Sequence, residues 1–537
     1  MSAKVLLIDG YIDEPASLGV PPYSSPHIRA AVGAAREGGA DATLVTIDRV
    51  REGRPLPKAD LVAVLAGCAV PGRYLRGMPA SIKEIRCLAQ EMKGFKVLGG
   101  PAAYEIDALS DLFDFVAKRD APAAIFDILR KGEATDRWRT LEEWNRWLLL
   151  GADCVTGHPD FPQPLIAEIE TYRGCVRYRS GGCSFCVEPL KGRPLFREPE
   201  DVIAEAARLR SLGVRNFRLG AQTCFISYKS ETNGTETPRP NPEAIEVLLK
   251  GVRSLDVDVL HLDNANPAVI AKYPHESRRI LRSIVEHCTS GNVLALGMES
   301  ADPRVVEANN LNAEPDQVLA AIRLINDVGR ERGPTGLPYV LPGLNFIIGL
   351  DGESDDTLRL NLEFLRKVRG EGLLLRRINI RQVMAVRREF KPTIRRSKFF
   401  KFKETVREEI DSQLLRELVP IGTRLTGIYT ELKEGKHTFG RQIGTYPLLV
   451  GFNYPIELGR FVDCKVVDWG FRSITAVESP LDINACPIAA LESLPSIGNK
   501  RAVRIVRSRP FRKLEEVGSV LDDPGLADKL AEFVTLR

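Results

Sequence analysis

Short apolar runs alternate with stretches of helical spacing along most of the chain. Within residues 1–150, runs at 5–8, 43–47, 61–65, 96–98 and 113–116 read as strands, and 27–36 and 80–92 carry apolar residues at helical intervals. That alternation predicts an α/β unit, an open parallel sheet of the Rossmann-like (flavodoxin-like) kind. A second series occupies 160–400, with strands predicted at 165–171, 216–219, 257–262, 293–296, 344–348 and 377–383 and helices at 199–212, 242–255, 276–287, 315–328 and 355–368. Six strand–helix repeats, each long enough for a right-handed crossover, predict a partial parallel (β/α)6 barrel with its chemistry at the strand carboxyl ends. Within 401–478 a connecting helix leads to short strands at 446–451 and 460–467, which predict a small β-barrel; 479–537 turns helical again.

Composition narrows the class. Charged residues make up 27% and AVILMFWYC 44% of 537 residues, ordinary globular usage that excludes a disordered or collagen-like chain. The apolar run 61–70 is far shorter than the ~20 residues a membrane span needs, so a cytoplasmic protein without membrane association is expected. The net charge of +4 is unevenly spread: 376–403 holds eleven Lys or Arg and one acidic residue, and 494–513 holds seven and none, leaving −13 elsewhere. Phe390, Phe399, Phe400 and Phe402 interleave with the first basic segment. Such a segment either contacts phosphates and bases or forms a solvated helix face over an aromatic stripe.

Ten cysteines are too few for a disulfide scaffold, yet Cys175, Cys183 and Cys186 fall within twelve residues. Three thiolates from one loop can hold three irons of a 4Fe–4S cluster and leave the fourth open. The competing reading is a structural zinc site completed by His158 or Cys154. Arg177 and Arg179, inside the loop, read as solvated charges. Asp263, Asn264, Asn266, Asn345, Asn379, Arg381 and Gln382 follow or end predicted strands and are equally candidates for a site or for loop hydrogen bonds, whereas His261 reads as packed structure.

With Phe185 directly before the last cysteine, this loop resembles that of the radical S-adenosylmethionine enzymes. The resemblance runs from about Ile166 to Val386. Leu219-Gly220-Ala221-Gln222 is similar to a turn of methylthiotransferase members, Gly297-Met298-Glu299-Ser300-Ala301-Asp302 to a segment contacting S-adenosylmethionine, and 346–353 to the glycine-bearing strand beside the adenine. One departure is the spacing of the first two cysteines, which are separated by seven residues here and by three in most of the family. The resemblance implies a 4Fe–4S cluster on Cys175, Cys183 and Cys186. It also places Phe185, Gly220, Gln222, Glu299, Ser300, Gly349 and Glu353 near S-adenosylmethionine. Reductive cleavage of that cofactor would then yield a radical that abstracts hydrogen from a substrate, with a reductase or ferredoxin-type protein as electron donor.

The flanking regions carry further resemblances. Residues 98–101 are similar to a cobalamin-binding branch, but no Asp-x-His-x-x-Gly loop is present, which argues against histidine-ligated cobalamin. Residues 59–68 resemble the methylthiotransferase amino-terminal region, where a second cluster uses three cysteines. Only Cys68 matches, and Cys87 reads as a buried small residue in a helix, which argues against a second cluster. Residues 482–517 resemble a helix-hairpin-helix module, implying phosphate contact by Ile497, Gly498, Lys500, Arg501 and Arg504. Residues 439–478 resemble the RNA-gripping (TRAM-like) barrel of tRNA methylthiotransferases. The leading expectation is a radical enzyme acting on nucleic acid, tRNA before DNA. One alternative keeps the chemistry but gives it a small-molecule or protein substrate, with the hairpin used for assembly. The other is an iron–sulfur nucleic-acid-binding scaffold without catalysis.

Overall fold

Strand β1 (Lys4–Gly10) is buried at every position but its first, which is why it reads as one apolar run and lies inside its sheet. The computed structural model describes residues 2–12, 23–67, 77–104, 109–523 and 525–536. After β2 (Tyr23–Ser24) come β3 (Asp41–Thr46), β4 (Leu61–Ala66), β5 (Phe95–Gly99) and β6 (Phe115–Val116). Five of these form a parallel sheet in the order β3-β1-β4-β5-β6. The order reverses beside β1, which makes the carboxyl ends of β1 and β4 the topological switch point of the sheet. Cys87 lies exposed on the helix Ile82–Glu91, contrary to the buried position expected from the pattern, and Cys68 lies outside the described residues.

The helix Pro26–Glu37 begins where the Ser25 hydroxyl accepts the His27 N–H at 3.1 Å, with Pro26 at its first position. It crosses the helix Leu141–Leu150 with backbones nearly touching. A Cβ added to Gly33 would lie 1.9 Å from the Trp147 carbonyl oxygen, and one on Gly151 1.9 Å from that of Arg29.

The second unit contains β7 (Ile166–Glu170), β8 (Tyr172–Arg173), β9 (Leu195–Phe196), β10 (Asn216–Gly220), β11 (Val259–Leu262), β12 (Asn264–Ala265), β13 (Asn292–Glu299), β14 (Val340–Ile348) and β15 (Arg377–Gln382). Parallel pairing runs β7-β10-β11 and β12-β13-β14-β15, the two arcs interrupted only at Asp263. β2 adds a parallel edge to β7, so the amino-terminal segment extends the barrel, a pairing with no periodic signal in the sequence. Phe217, Leu219, Leu294, Leu296, Leu344 and Phe346 join the core under the helices. The alternate positions of the same strands turn to the lumen.

β16 (Arg424–Glu434), β17 (His437–Gln442), β18 (Leu449–Phe452), β19 (Phe461–Trp469) and β20 (Ser473–Glu478) close a small barrel in the order β16-β17-β18-β20-β19. The segment between β17 and β18 braces the larger barrel. Thr445 donates its N–H to His261 Nδ1 at 3.0 Å and accepts the Tyr23 hydroxyl at its carbonyl at 3.1 Å, and the Tyr446 hydroxyl donates to Asp263 Oδ1 at 3.2 Å. His261 is thus packed structure.

The last elements are β21 (Leu481–Asp482), four short helices and β22 (Val534–Thr535), which pairs with β21. Leu494, Ile497, Ile505 and Phe511 share one core with Val450, Phe452 and Val466 of the small barrel, so apolar packing runs on across residues 478–479. Among the described residues no helix is long and apolar enough to cross a membrane.

Candidate active site

The β8–β9 hairpin brackets the loop that carries the three thiols, just past the carboxyl end of β7. The loop is held from both sides. Arg177 is only 5% exposed: it donates to the Asn310 carbonyl at 2.8 Å, to Asn310 Oδ1 at 2.7 Å and to Glu236 at 2.9 Å, with a further contact to Cys183 Sγ at 3.3 Å. Its backbone N–H reaches Cys175 Sγ at 3.4 Å. A structural ligand of the loop therefore replaces the solvated charge that composition suggested; Arg179 is the exposed one, stacked over Tyr178. Arg387 donates to the carbonyls of Gly181, Cys183 and Cys186 at 2.6, 3.2 and 3.2 Å, contacts that no local pattern could reveal across two hundred residues of separation. Phe185 packs, as Ile347 and Val383 do, against the small core of Val305, Val306, Leu311 and Leu350.

Burial pushes all three thiols up, Cys183 to about 11 and Cys186 to about 12. Thiolates at these positions need added positive charge, and a bound iron cluster supplies it. The donor set therefore fits the group. Among the described residues the zinc alternative finds no fourth ligand: His158 accepts the Asp160 N–H at Nδ1 at 3.1 Å with its ring edge-on to Tyr11, and the charged neighbours of Cys154 are Arg29, Asp9, Asp153 and Arg36. Among the described residues no three His, Cys, Asp or Glu side chains converge tightly enough to cage a single ion.

Two buried carboxyls end or follow the neighbouring strands β13 and β14, and one of them, Glu299, is close enough to act on Cys183. A register irregularity in β13 between Gly297 and Glu299, with Glu299 at φ 64°, turns this side chain away from the helix layer that takes Met298. Glu299 Oε2 is buried without a hydrogen-bond partner; burial pushes the carboxyl up to about 8, with Arg381 pulling the other way. Glu353 accepts the Gly349 N–H at 2.8 Å through Oε2, keeps Oε1 unpartnered, and is pushed up by burial to about 7. Gly349 has φ 106°, and a Cβ there would meet Val383 at 2.9 Å. Buried acceptors with an unused lone pair suit hydroxyl or ammonium donors of a bound molecule.

Other candidates are placed differently. A Cβ on Gly220 would strike Glu168 Oε1 at 2.2 Å, so this glycine makes room for the lumen pair of Glu168 and Arg218. Gln222 is buried in its own turn, donating to the Leu219 carbonyl at 3.0 Å and facing the Thr171 hydroxyl at 3.2 Å. The Ser300 hydroxyl accepts the Asp302 N–H at 3.2 Å, and Asn266 caps the helix Pro267–Lys272. Each of these three side chains thus has a hydrogen-bond partner within the protein.

A model of the radical S-adenosylmethionine superfamily matches residues 169–365, the stretch from β7 through the helix after β14. The chain belongs to that superfamily. Its members are enzymes that use S-adenosylmethionine and a 4Fe–4S cluster, and this radical enzyme has relatives along nearly its whole length. An uncharacterised protein of Methanocaldococcus jannaschii is 45% identical over 88% of this chain and 93% of its own length. One of Archaeoglobus fulgidus is 42% identical over 96% and 97%. A methylthiotransferase of Acaryochloris marina acting on a ribosomal protein is 25% identical over 45% of this chain and 48% of that protein. Among solved structures, the radical methyltransferase TsrM of Kitasatospora setae covers 81% of this chain and 79% of its own, at 13% identity and a TM-score of 0.45. The cobalamin-dependent radical enzyme OxsB covers 68% and 52% at 14% identity and 0.48.

Far from the thiols along the chain, the helix Asn499–Arg507 opens at Gly498, which is exposed with open space about it; Lys500 and Arg504 are exposed too, Arg504 lying 3.9 Å from Asp522. Ile497 is buried and its N–H donates to the Leu494 carbonyl at 3.0 Å, so it anchors the turn instead of facing a ligand. Arg501 is likewise engaged, to Asp522 at 2.6 Å and the Ser496 carbonyl at 2.7 Å.

Proposed function

We propose that this enzyme modifies a nucleic acid, tRNA in the first instance, by hydrogen abstraction. When bound, the cluster and S-adenosylmethionine supply the electron and the radical. Cys175, Cys183 and Cys186 would hold the cluster, Arg177 and Arg387 would fix their loop, and Glu299 and Glu353 would accept donors of the cofactor. The observation that carries the nucleic-acid reading is the carboxyl-terminal turn at Gly498, which sets free helix N–H groups beside Lys500 and Arg504, a pairing suited to a phosphate backbone. The reading includes no histidine-ligated cobalamin and takes a reductase or ferredoxin-type protein as electron donor.

The test has two parts. Reconstituted protein with a strong reductant is expected to release deoxyadenosine, and replacing the three cysteines by alanine is expected to abolish both that release and the cluster absorbance. RNA retained through purification at moderate salt is then sequenced and its nucleosides compared by mass spectrometry with those from cells lacking the protein. Deoxyadenosine release with an unchanged nucleoside profile would turn the reading to a small-molecule or protein substrate, for which the packing roles of Ile497 and Arg501 already speak.

A further inference from the structure

Strand β15, the helix Arg396–Val406 and the turn joining β19 to β20 meet along one seam, and each contributes cations. Arg376 precedes β15 and Arg381 lies within it, Lys403 comes from the helix, Arg407 from the π turn Arg407–Asp411 that continues it, and Arg472 from the small-barrel turn. Burial holds Lys403, Arg407 and Arg376 down, and so do neighbouring cations: Arg407, Arg472 and Arg381 act on Lys403, Arg472 on Arg407, and Arg377 and Arg472 on Arg376. Asp411 and Glu404 are the acidic groups facing this set, and Asp411 accepts from Arg472 at 3.0 Å. The Nε atoms of Arg376 and Arg407 are buried without a hydrogen-bond partner. A π turn widens the helix locally and is frequent at functional positions.

Beside these cations Phe471 stands 53% exposed, with the Arg407 guanidinium 6.0 Å from its ring centre. At the other end, Arg381 lies one residue from the carboxyl end of β15, in register with Ile347 of β14, so the seam reaches the barrel mouth where the strands end. Gathered like charge costs a fold stability, and an exposed aromatic face beside arginines suits an unstacked base and its phosphates. A duplex offers no such base.

We infer that this seam binds a single-stranded stretch of nucleic acid, with phosphates on Lys403, Arg407 and Arg472 and a base on Phe471, and leads it to the barrel mouth at Arg381. The inference rests on the nucleic-acid reading and adds the strandedness of the substrate and its path.

Fluorescence anisotropy with labelled single strands, ribo and deoxyribo, tests it on the full-length protein. Wild type is compared with Phe471→Ala, with Lys403→Gln/Arg472→Gln, and with Lys500→Gln/Arg504→Gln, each checked by thermal unfolding. Phe471→Ala is expected to weaken binding about tenfold, the loss of one base stack. Lys403→Gln/Arg472→Gln is expected to flatten the slope of log affinity against log salt by about 1.4, about 0.7 per lost phosphate contact. Polyglutamate of matched charge is expected to respond to the double variant and not to Phe471→Ala. Binding lost only in Lys500→Gln/Arg504→Gln overturns the seam and leaves the nucleic-acid reading standing, whereas no binding by wild type overturns both. Polyglutamate weakened equally by Phe471→Ala overturns the inference in favour of an acidic polypeptide. Should the double variant unfold, Phe471→Ala carries the test alone, since its ring is half exposed.

Discussion

Glu205 lies wholly buried between two guanidiniums that are buried as well. Its carboxylate meets Arg29 at 2.8 Å and Arg197 at 2.6 Å. Arg29, on the amino-terminal helix, also donates to the Ser24 carbonyl of β2 at 2.6 Å and to the Glu168 carbonyl of β7; Arg197 donates to the Glu170 carbonyl at 3.0 Å. The triad therefore joins the amino-terminal layer to the first barrel strand. Glu205→Gln leaves two buried cations without their counter-charge, a loss of about 3–5 kcal/mol, nearer 3 because the amide oxygen still accepts one bond. With a urea slope of ~2–3 kcal/mol per M, the midpoint falls by about 1–1.5 M. Tryptophan fluorescence is the assay, because Trp144 and Trp147 are fully buried in this layer and Arg197 lies 5.8 Å from the Trp144 ring. Circular dichroism on the same samples shows whether the layer melts alone or with the barrel. A midpoint shift under about 0.3 M, below ~1 kcal/mol, would refute the charge argument. Arg29→Met/Arg197→Met/Glu205→Leu should recover only part of the loss, since it removes the buried charges together but also the donors of the Ser24, Glu168 and Glu170 carbonyls.

Three further outcomes are expected. Asp9 is 1% exposed, and burial pushes its carboxyl up to about 7, so the folded state keeps a proton that the unfolded chain has lost. Stability then declines as pH rises from about 4 to about 7, by at most ~1.4 kcal/mol per pH unit. Asp9→Asn, which keeps an acceptor for the Tyr11 N–H, removes that decline; a urea-midpoint difference from wild type that stays constant across the window contradicts it. Gly33→Ala puts a methyl into the Trp147 carbonyl, and a loss of about 1–3 kcal/mol should lower the melting temperature by several degrees, against which an unchanged melting curve would count. Arg387→Met removes the donor shared by three loop carbonyls and should speed loss of cluster absorbance in EDTA several-fold with circular dichroism unchanged; equal loss rates would place the loop's rigidity elsewhere.

The elements that were legible in the sequence are those whose burial leaves a local signal. β1, β4 and β13 are buried nearly throughout and appear as apolar runs, and the three thiols stand out because cysteine is otherwise sparse. β16 escaped prediction because its last residues are polar and partly exposed, as escaped β2, too short to show a period. The helix Leu141–Leu150 does have a local signature, the reciprocal Thr140 and Glu143 cap. What stayed hidden in the site were pairings between distant residues: Arg177 with Asn310, Arg387 with the cysteine loop, and the positive φ that turns Glu299 to the lumen.

The basic segment shows most directly why a charge count along the chain does not translate into a surface. Of its cations, Arg387 is bound to the cysteine loop, Arg388 to Asp351 at 2.6 Å, Lys398 to Asp355 at 2.6 Å and Arg376 to the Tyr446 carbonyl at 2.7 Å. Arg388 and Lys398 each neutralise an anion, and Arg387 and Arg376 spend donors on carbonyls that folding would otherwise strand, so none presents both its full charge and all its donors to a partner. Lys403 lies instead among other cations, whose fields add at its position. The two groups call for different experiments. Neutralising Arg387 disturbs the loop of the thiols and confounds binding with cluster loss, whereas neutralising Lys403 changes the seam while leaving that loop's hydrogen bonds in place. A binding defect confined to Lys403 and Phe471 would therefore report on the partner, and one confined to Arg387 on the cofactor site.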